Sequence, residues 1–326
     1  MKIAQLCSAF IFFCLFSVMT STSTLAAGKV IKLSHVVNEK DGFHIAALKF
    51  KELVEAGSDY TIEIHPNAEL GDERTLLEGM QFGTIDMGII TNGPVSNFSP
   101  EIAVLELPFL FTSNEEAYKI MDGSIGQELL GNLSKVGLKG LAYAERGFRN
   151  LTNSKREVLS PADLKGLKIR VMENPVYIDT FKALGANAVP MAWTEALTAM
   201  QQGTIDGQEN PVNVIYSFKL AETQKFMSFT RHTYAPAVFV MGQNLYASLD
   251  EKSQKLFQES AQAAAQHERN WNMEQEAEQL AAIKELGMTI SEPDLTPFQN
   301  AVVPVYTKYG EKFGKYLDAI KAELGK

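Results

Sequence analysis

Thiols are nearly absent from this chain. Its two cysteines, Cys7 and Cys14, both fall in an N-terminal stretch patterned as a secretory signal peptide: Lys2, an apolar run over residues 3–18, then small and hydroxylated residues up to Ala26 and Ala27. With residues 1–27 cleaved, the mature chain could hold no disulfide, no thiolate metal site and no cysteine nucleophile. No second long apolar run follows, and the first is short for a membrane span of ~20 residues. The expected mature protein is therefore exported and not inserted in a membrane. Basic charge is also in deficit, with 30 Lys and Arg against 39 Asp and Glu. The formal charge of −9 becomes −10 once Lys2 is lost, which disfavours nucleic acid and anionic lipid as partners. Catalytic signatures are lacking too. The five histidines, His35, His44, His65, His232 and His267, stand singly, and His267-Glu268 has no second histidine to complete a zinc-protease helix. There is no Gly-x-Ser-x-Gly elbow, no phosphate loop and no Gly-x-Gly-x-x-Gly turn. An enzyme is unsupported, and no metal or cofactor is expected.

What the chain does contain is one phrase stated twice. Met80-Gln81-Phe82-Gly83-Thr84-Ile85-Asp86 returns 120 positions later as Met200-Gln201-Gln202-Gly203-Thr204-Ile205-Asp206. Each copy closes a segment of helical periodicity at a glycine. Coincidence in a common helix exit is one reading, and two lobes built alike is the other. About 300 mature residues suit two domains, and the cleft between two domains is a usual place for a small ligand.

The order of elements points to an α/β fold. Residues 30–35 and 60–65 read as strands around an amphipathic helix over 44–56, and 102–111 is an apolar stretch for a core. The second set starts near Arg146: a capping box at Ser160-Pro161-Ala162-Asp163, a strand at 167–172, a helix opened by Asn174-Pro175 and stopped at Gly185, and a short strand at 187–190. From a capping box at Ser248-Leu249-Asp250-Glu251 a polar, alanine-rich helical pattern runs to Leu286, about 57 Å at ~1.5 Å per residue. Its apolar positions keep no heptad, so it is expected to brace both lobes rather than join a partner coil.

An acidic protein that binds an anion must gather arginines locally. Arg146 and Arg149 flank Gly147-Phe148 where the chain is expected to leave one lobe for the other, and Arg170 lies inside the strand at 167–172. A guanidinium fork matches a carboxylate with two parallel hydrogen bonds. Arg170 is thus an anion clamp, or it sits on the solvent face of an edge strand or in an internal ion pair; spacing alone leaves these open. Superposing the repeats matches Glu73 with Trp193, each seven residues before the shared methionine and each at the start of a helix. Trp193 is a core residue or a ligand platform. Thr91-Asn92 follows the first copy much as Asn210-Pro211 follows the second.

These residues carry a resemblance. Gly147-Phe148-Arg149-Asn150, Leu167-Lys168-Ile169-Arg170-Val171, Val189-Pro190-Met191-Ala192-Trp193 and Gln208-Glu209-Asn210-Pro211, together with Leu70-Gly71-Asp72-Glu73-Arg74 and Leu107-Pro108-Phe109-Leu110-Phe111, resemble the solute-binding proteins of TRAP transporters, the DctP-like group. The likeness covers nearly the whole mature chain. It implies a periplasmic two-lobe α/β binding protein with mixed sheets, crossing strands and a long helix spanning both lobes. Lobe I would comprise residues 28–147 plus about 236–275, and lobe II 148–235 plus about 276–326. It implies a carboxylate held by Arg170, supported by Arg149 and Asn210, with Trp193 lying on the ligand. Glu73, Thr91 and Asn92 would tune the choice of solute, with His35 and Asn38 as further first-lobe contacts. The solute would be an organic acid, a uronate, an aldonate or a C4-dicarboxylate, delivered by a monomer to the small and large membrane subunits and not altered chemically. The competing classes are an ABC-linked or chemosensory binding protein and an exported hydrolase.

Overall fold

The computed structural model describes residues 29–326; the expected signal peptide lies outside them. Nine strands form one mixed sheet: β1 (Val30–Ser34), β2 (Thr61–His65), β3 (Met87–Thr91), β4 (Leu138–Asn153), β5 (Lys168–Val171), β6 (Asn187–Pro190), β7 (Gly207–Asn210), β8 (Phe226–Gly242) and β9 (Thr289–Ser291). Their spatial order is β2-β1-β3-β8-β4-β7-β5-β6, with β9 on β8. That order is one plan used twice. β1 lies between parallel β2 and β3, as β5 lies between parallel β6 and β7. β3 then pairs antiparallel with β8, as β7 does with β4.

The repeated phrase is a shared structural device, which removes the coincidence reading. Its helices, Glu73–Phe82 and Trp193–Gln201, are followed by Gly83 and Gly203 at φ 76° and 68°, the left-handed conformation that favours glycine. Thr84 and Thr204 hydroxyls each donate back to a last-turn carbonyl, of Gly79 and Ala199. Asp86 accepts from the Lys32 N–H at 2.8 Å, and Asp206 from the Lys168 N–H at 2.9 Å. Each aspartate thereby ties the helix exit to the central strand of its lobe, β1 or β5.

β4 and β8, 16 and 17 residues long, pair antiparallel along their length and pass from one lobe into the other. The sequence placed Arg146 and Arg149 where the chain leaves one lobe for the other. Both lie inside β4, which continues to Asn153, and the register shift between Glu145 and Gly147 marks a bulge within it. Backbone pairing with β8 resumes beyond the bulge, so the chain changes lobe without leaving the sheet.

The long helix is real and bridges the lobes. It spans Glu251–Glu285, 35 residues, or about 52 Å at ~1.5 Å per residue. Its cap is Asp250, which accepts from the Ser253 N–H at 2.8 Å; the expected Ser248 box does not form because Ser248 closes a separate short helix, Gln243–Ser248, and bonds to the Leu245 carbonyl. Near its start Phe257 is fully buried against Phe50 and Tyr60 of lobe I, worth roughly 2–3 kcal/mol of hydrophobic burial. Further along, Asn272 meets Asn213 of lobe II, and the chain then adds β9 to the lobe II end of β8. The helix Val303–Leu324 also touches both lobes, through Tyr309 to Asp179 (2.6 Å) and Tyr316 to Glu128 (3.0 Å). Among the described residues no helix is long and apolar enough to cross a membrane.

Candidate functional site

The parallel strands of each lobe point their carboxyl ends at the other lobe. Such ends are where open α/β sheets bind ligands, because the loops beyond them can present polar groups. A cleft of about 450 Å³, mouth included, opens there. Lobe I contributes Val36, Glu73, Pro94 and Asn97 to its walls, and lobe II contributes Arg170, Met172, Glu173 and Trp193. The lobes meet at its flank, where Asn97 donates to the Glu173 carbonyl (2.7 Å) and Asn174 to the Ser96 hydroxyl (2.9 Å).

Arg170 dominates the cleft. It is 3% exposed and stands in β5, one strand in from the sheet edge, so the solvent-face reading does not hold. Nε and Nη2 donate to the Met191 carbonyl at 3.0 and 2.8 Å, and the guanidinium carbon lies 5.5 Å from the Trp193 ring centre. No carboxylate pairs with it among the described residues, so the internal ion pair is absent as well. Burial, with Arg149 as a nearby like charge, pushes its pKa down to about 10, while Glu209 and Glu73 act to raise it. The group is still charged at neutral pH. Its Nε/Nη2 edge is held by a backbone carbonyl, while Nη1 and the second Nη2 hydrogen have no acceptor among the described residues: a fixed, desolvated cationic fork.

Trp193 and Glu73 each open a helix, as the superposed repeats require. Trp193 packs edge-on against Phe218 at 5.1 Å, as its core reading requires, and also walls the cleft beside Arg170, with its indole N–H buried and without a partner among the described residues. Glu73 faces it from lobe I. Its carboxylate accepts from the Thr91 N–H at 2.6 Å, and burial pushes its pKa up against that bond and the charges of Arg146 and Arg170.

None of the remaining sequence-selected residues lines this cleft. Arg149 is 1% exposed, with Nε and Nη2 both committed to Glu209, including 2.8 Å to Oε1. Glu209 also bonds to His232 Nε2 at 3.1 Å. Burial opposes charge on both partners, but each holds the other ionised: Arg149 is shifted up and Glu209 down. Asn210 ends β7 and donates to Gln208 at 2.6 Å. Thr91 ends β3; Asn92 is fully buried and donates to the Ile102 carbonyl at 3.2 Å. His35 is fully buried beside His44 (3.2 Å between ring nitrogens), and burial with that neighbour pushes its pKa down to about 3, which keeps it neutral. Asn38 reaches across to lobe II, donating to the Ser217 carbonyl at 3.0 Å.

Glu209, His232 and the Asp41–Arg146 pair were missed by the sequence reading, although a buried arginine demands an acid and Glu209 stands beside Asn210. Glu106 was missed as well. It is 1% exposed, accepts from Tyr177 and Asn174 at 3.2 Å each, and is pushed by burial up to about 8. The folded protein holds this proton while the unfolded chain loses it near the ordinary value of 4.5. Its contribution to stability is therefore full below that value and is lost as pH rises toward 8. Glu106→Gln, which mimics the protonated acid, is expected to gain on the wild type as pH is raised from 5 to 8 in thermal unfolding scans. A constant difference between the two curves would contradict the buried-acid assignment.

The two similar lobes, the crossing strands and the helical brace over a polar cleft are the architecture of a two-lobe solute-binding protein. A family model described as bacterial extracellular solute-binding protein, family 7, matches residues 33–312. The chain belongs to that family, the solute-binding proteins of TRAP transporters. It is 40% identical to a TRAP periplasmic solute-binding protein from Polaromonas sp. JS666 solved with D-erythronate, over 90% of this chain and 98% of that one, with a TM-score of 0.88. One from Roseobacter denitrificans with bound L-galactonate is 34% identical over 90% and 98% of the two chains, TM-score 0.85. The 2,3-diketo-L-gulonate-binding periplasmic protein of Escherichia coli K12 is 37% identical, covering 86% of this chain and 87% of its own. All three are named as binding proteins.

Proposed function

We propose that this protein is periplasmic and captures a hydroxylated monocarboxylic acid of the aldonate or uronate kind, handing it unchanged to the small and large membrane subunits of a TRAP transporter. The observation that carries this reading is the buried, charged Arg170, fixed on one side by the Met191 carbonyl and unpaired on the other. A carboxylate on its free edge would complete a charge-assisted bidentate pair. Asn210 and Arg149 act from behind, and Trp193 gives the carbon chain an aromatic wall. The lobes divide near residues 147 and 236, and again near 275 in the long helix, and an acid touching both lobes shifts the population toward the closed form.

The opposite wall argues for hydroxyl groups at the other end of the solute. Asp72 and Glu73 border the cleft from lobe I and present acceptors; they would bond to hydroxyls and repel a second carboxylate. The acids named for the three relatives are all monocarboxylates rich in oxygen. Calorimetric titration with D-erythronate, L-galactonate, D-glucuronate and succinate tests this. A hydroxy acid is expected to bind one to one and be recovered intact, with succinate at least tenfold weaker. Glu73→Gln is expected to narrow that gap by relieving the repulsion. Succinate binding more tightly than every hydroxy acid would overturn the assignment of the lobe I wall.

A further inference from the structure

Asn38 was selected from the sequence as a solute contact, yet both ends of its carboxamide are occupied by backbone. Nδ2 donates to the Ser217 carbonyl at 3.0 Å, and Oδ1 accepts from the Lys40 N–H at 3.0 Å. Ser217 is the last residue of the short lobe II helix Val212–Ser217, where carbonyls lack helical partners. That helix starts two residues after Asn210, so Asn38 bonds to an element chained directly to the acid-binding end of β7.

The same seam continues through the first turn of the lobe I helix Gly42–Gly57. Asp41 receives Arg146 Nη1 on both oxygens, at 2.8 and 3.0 Å, and caps the helix at the Phe43 N–H. Gly42 is pressed so close to lobe II and the long helix that an added Cβ would stand 2.7 Å from Asn272 Oδ1 and 3.3 Å from Asn213 Nδ2. Asn213 donates to Asn272 at 3.1 Å, and Asn272 to the buried Glu145 of β4 at 3.3 Å. A polar chain thus runs from the lobe I loop, through the lobe II helix and the brace, to the crossing strand.

We infer that Asn38 is a latch between the lobes, a positioning residue that sets the closed spacing through the Ser217 carbonyl without touching the solute, and that Gly42 keeps the seam thin enough for the latch to engage. This rests on the cleft being the acid site. The Asn38 bond is neutral and partly exposed, so its loss is expected to weaken binding three- to tenfold. The factor should be the same for every acid, because no acid contacts the side chain.

The test pairs affinity with lobe spacing. Asn38→Ala removes both bonds; Asn38→Asp keeps the acceptor for Lys40 but sets a carboxylate against the Ser217 carbonyl; Gly42→Ala wedges the seam at its other end. D-Erythronate and L-galactonate are titrated by calorimetry, and spin labels on cysteines introduced at the exposed, repeat-related positions Phe82 and Gln202 report the lobe-to-lobe distance. The latch requires all three variants to lose affinity by a common factor for both acids and to shift the distance distribution away from that of the wild type, Asn38→Asp more than Asn38→Ala. Loss for one acid alone would make Asn38 a solute contact, and unchanged distances would make the bond merely structural; either overturns the latch. If the wild type binds neither acid, the functional reading fails separately, and the latch is then judged on the unliganded distances, which Asn38→Asp must alter.

Discussion

Arg170→Ala is expected to lose about 2–5 kcal/mol of acid binding, the usual result of truncating one partner of a buried hydrogen-bonded charge pair. That corresponds to roughly a 30- to 5,000-fold rise in Kd. The size follows from the setting: the guanidinium is 3% exposed, charged at neutral pH, and donates to no carboxylate among the described residues. Little of the acid's charge can be compensated by solvent once the fork is gone. Arg170→Lys keeps a charge but not the planar fork, nor the pair of hydrogen bonds to the Met191 carbonyl, so it is expected to restore only part of the affinity. Circular dichroism should show both variants folded, because the side chain supports one carbonyl and no ion pair. Calorimetry giving wild-type affinity for Arg170→Ala would remove the clamp.

Glu209→Gln is expected to destabilise the fold by about 3–5 kcal/mol, the cost of stranding a buried charge when its partner is removed. Arg149 is 1% exposed and has two of its nitrogens on Glu209, which also bonds to His232. At that exposure the guanidinium is out of reach of bulk solvent. The double replacement Arg149→Met with Glu209→Leu is expected to be less damaging than Glu209→Gln alone, since it leaves no unpaired ion. Urea unfolding of the three proteins measures this, and a single variant as stable as the wild type would show that the pair is not the buried ion pair described. Acid should act in the same direction. Glu209 is held below its ordinary pKa by Arg149, so its contribution is present above the usual carboxylate range and is lost as pH falls through the depressed value.

What could be read from the sequence was local chemistry. The helix exit of Gly-Thr-Ile-Asp is set by neighbours within six residues, so the repeat at Met80 and Met200 revealed the duplicated plan, and superposing it placed Glu73 and Trp193 on equivalent helix starts. The caps at Asn174 and Ser160 formed as read. Ser248 lost to Asp250 because two capping residues compete within three positions and only packing selects one.

What could not be read was pairing across the chain. Arg170 owes its orientation to a carbonyl 21 residues away, Arg149 its partner to a residue 60 away, Arg146 to one 105 away, and Asn38 to one 179 away. Periodicity and capping carry no signal for such contacts. The sequence could therefore single out Arg170 while leaving open whether it met solvent, an internal acid or a ligand. Only the fold removed the first two.

A crystal structure of the protein with the hydroxy acid that calorimetry ranks first tests the central claim most directly. The predicted result is one acid between the lobes, its carboxylate within hydrogen-bonding distance of Arg170 Nη1 and Nη2 and its hydroxyls toward Glu73, with the bond from Arg170 to the Met191 carbonyl retained. An acid bound outside the cleft, or one that turns its hydroxyls to Arg170 and its carboxylate to lobe I, would contradict it.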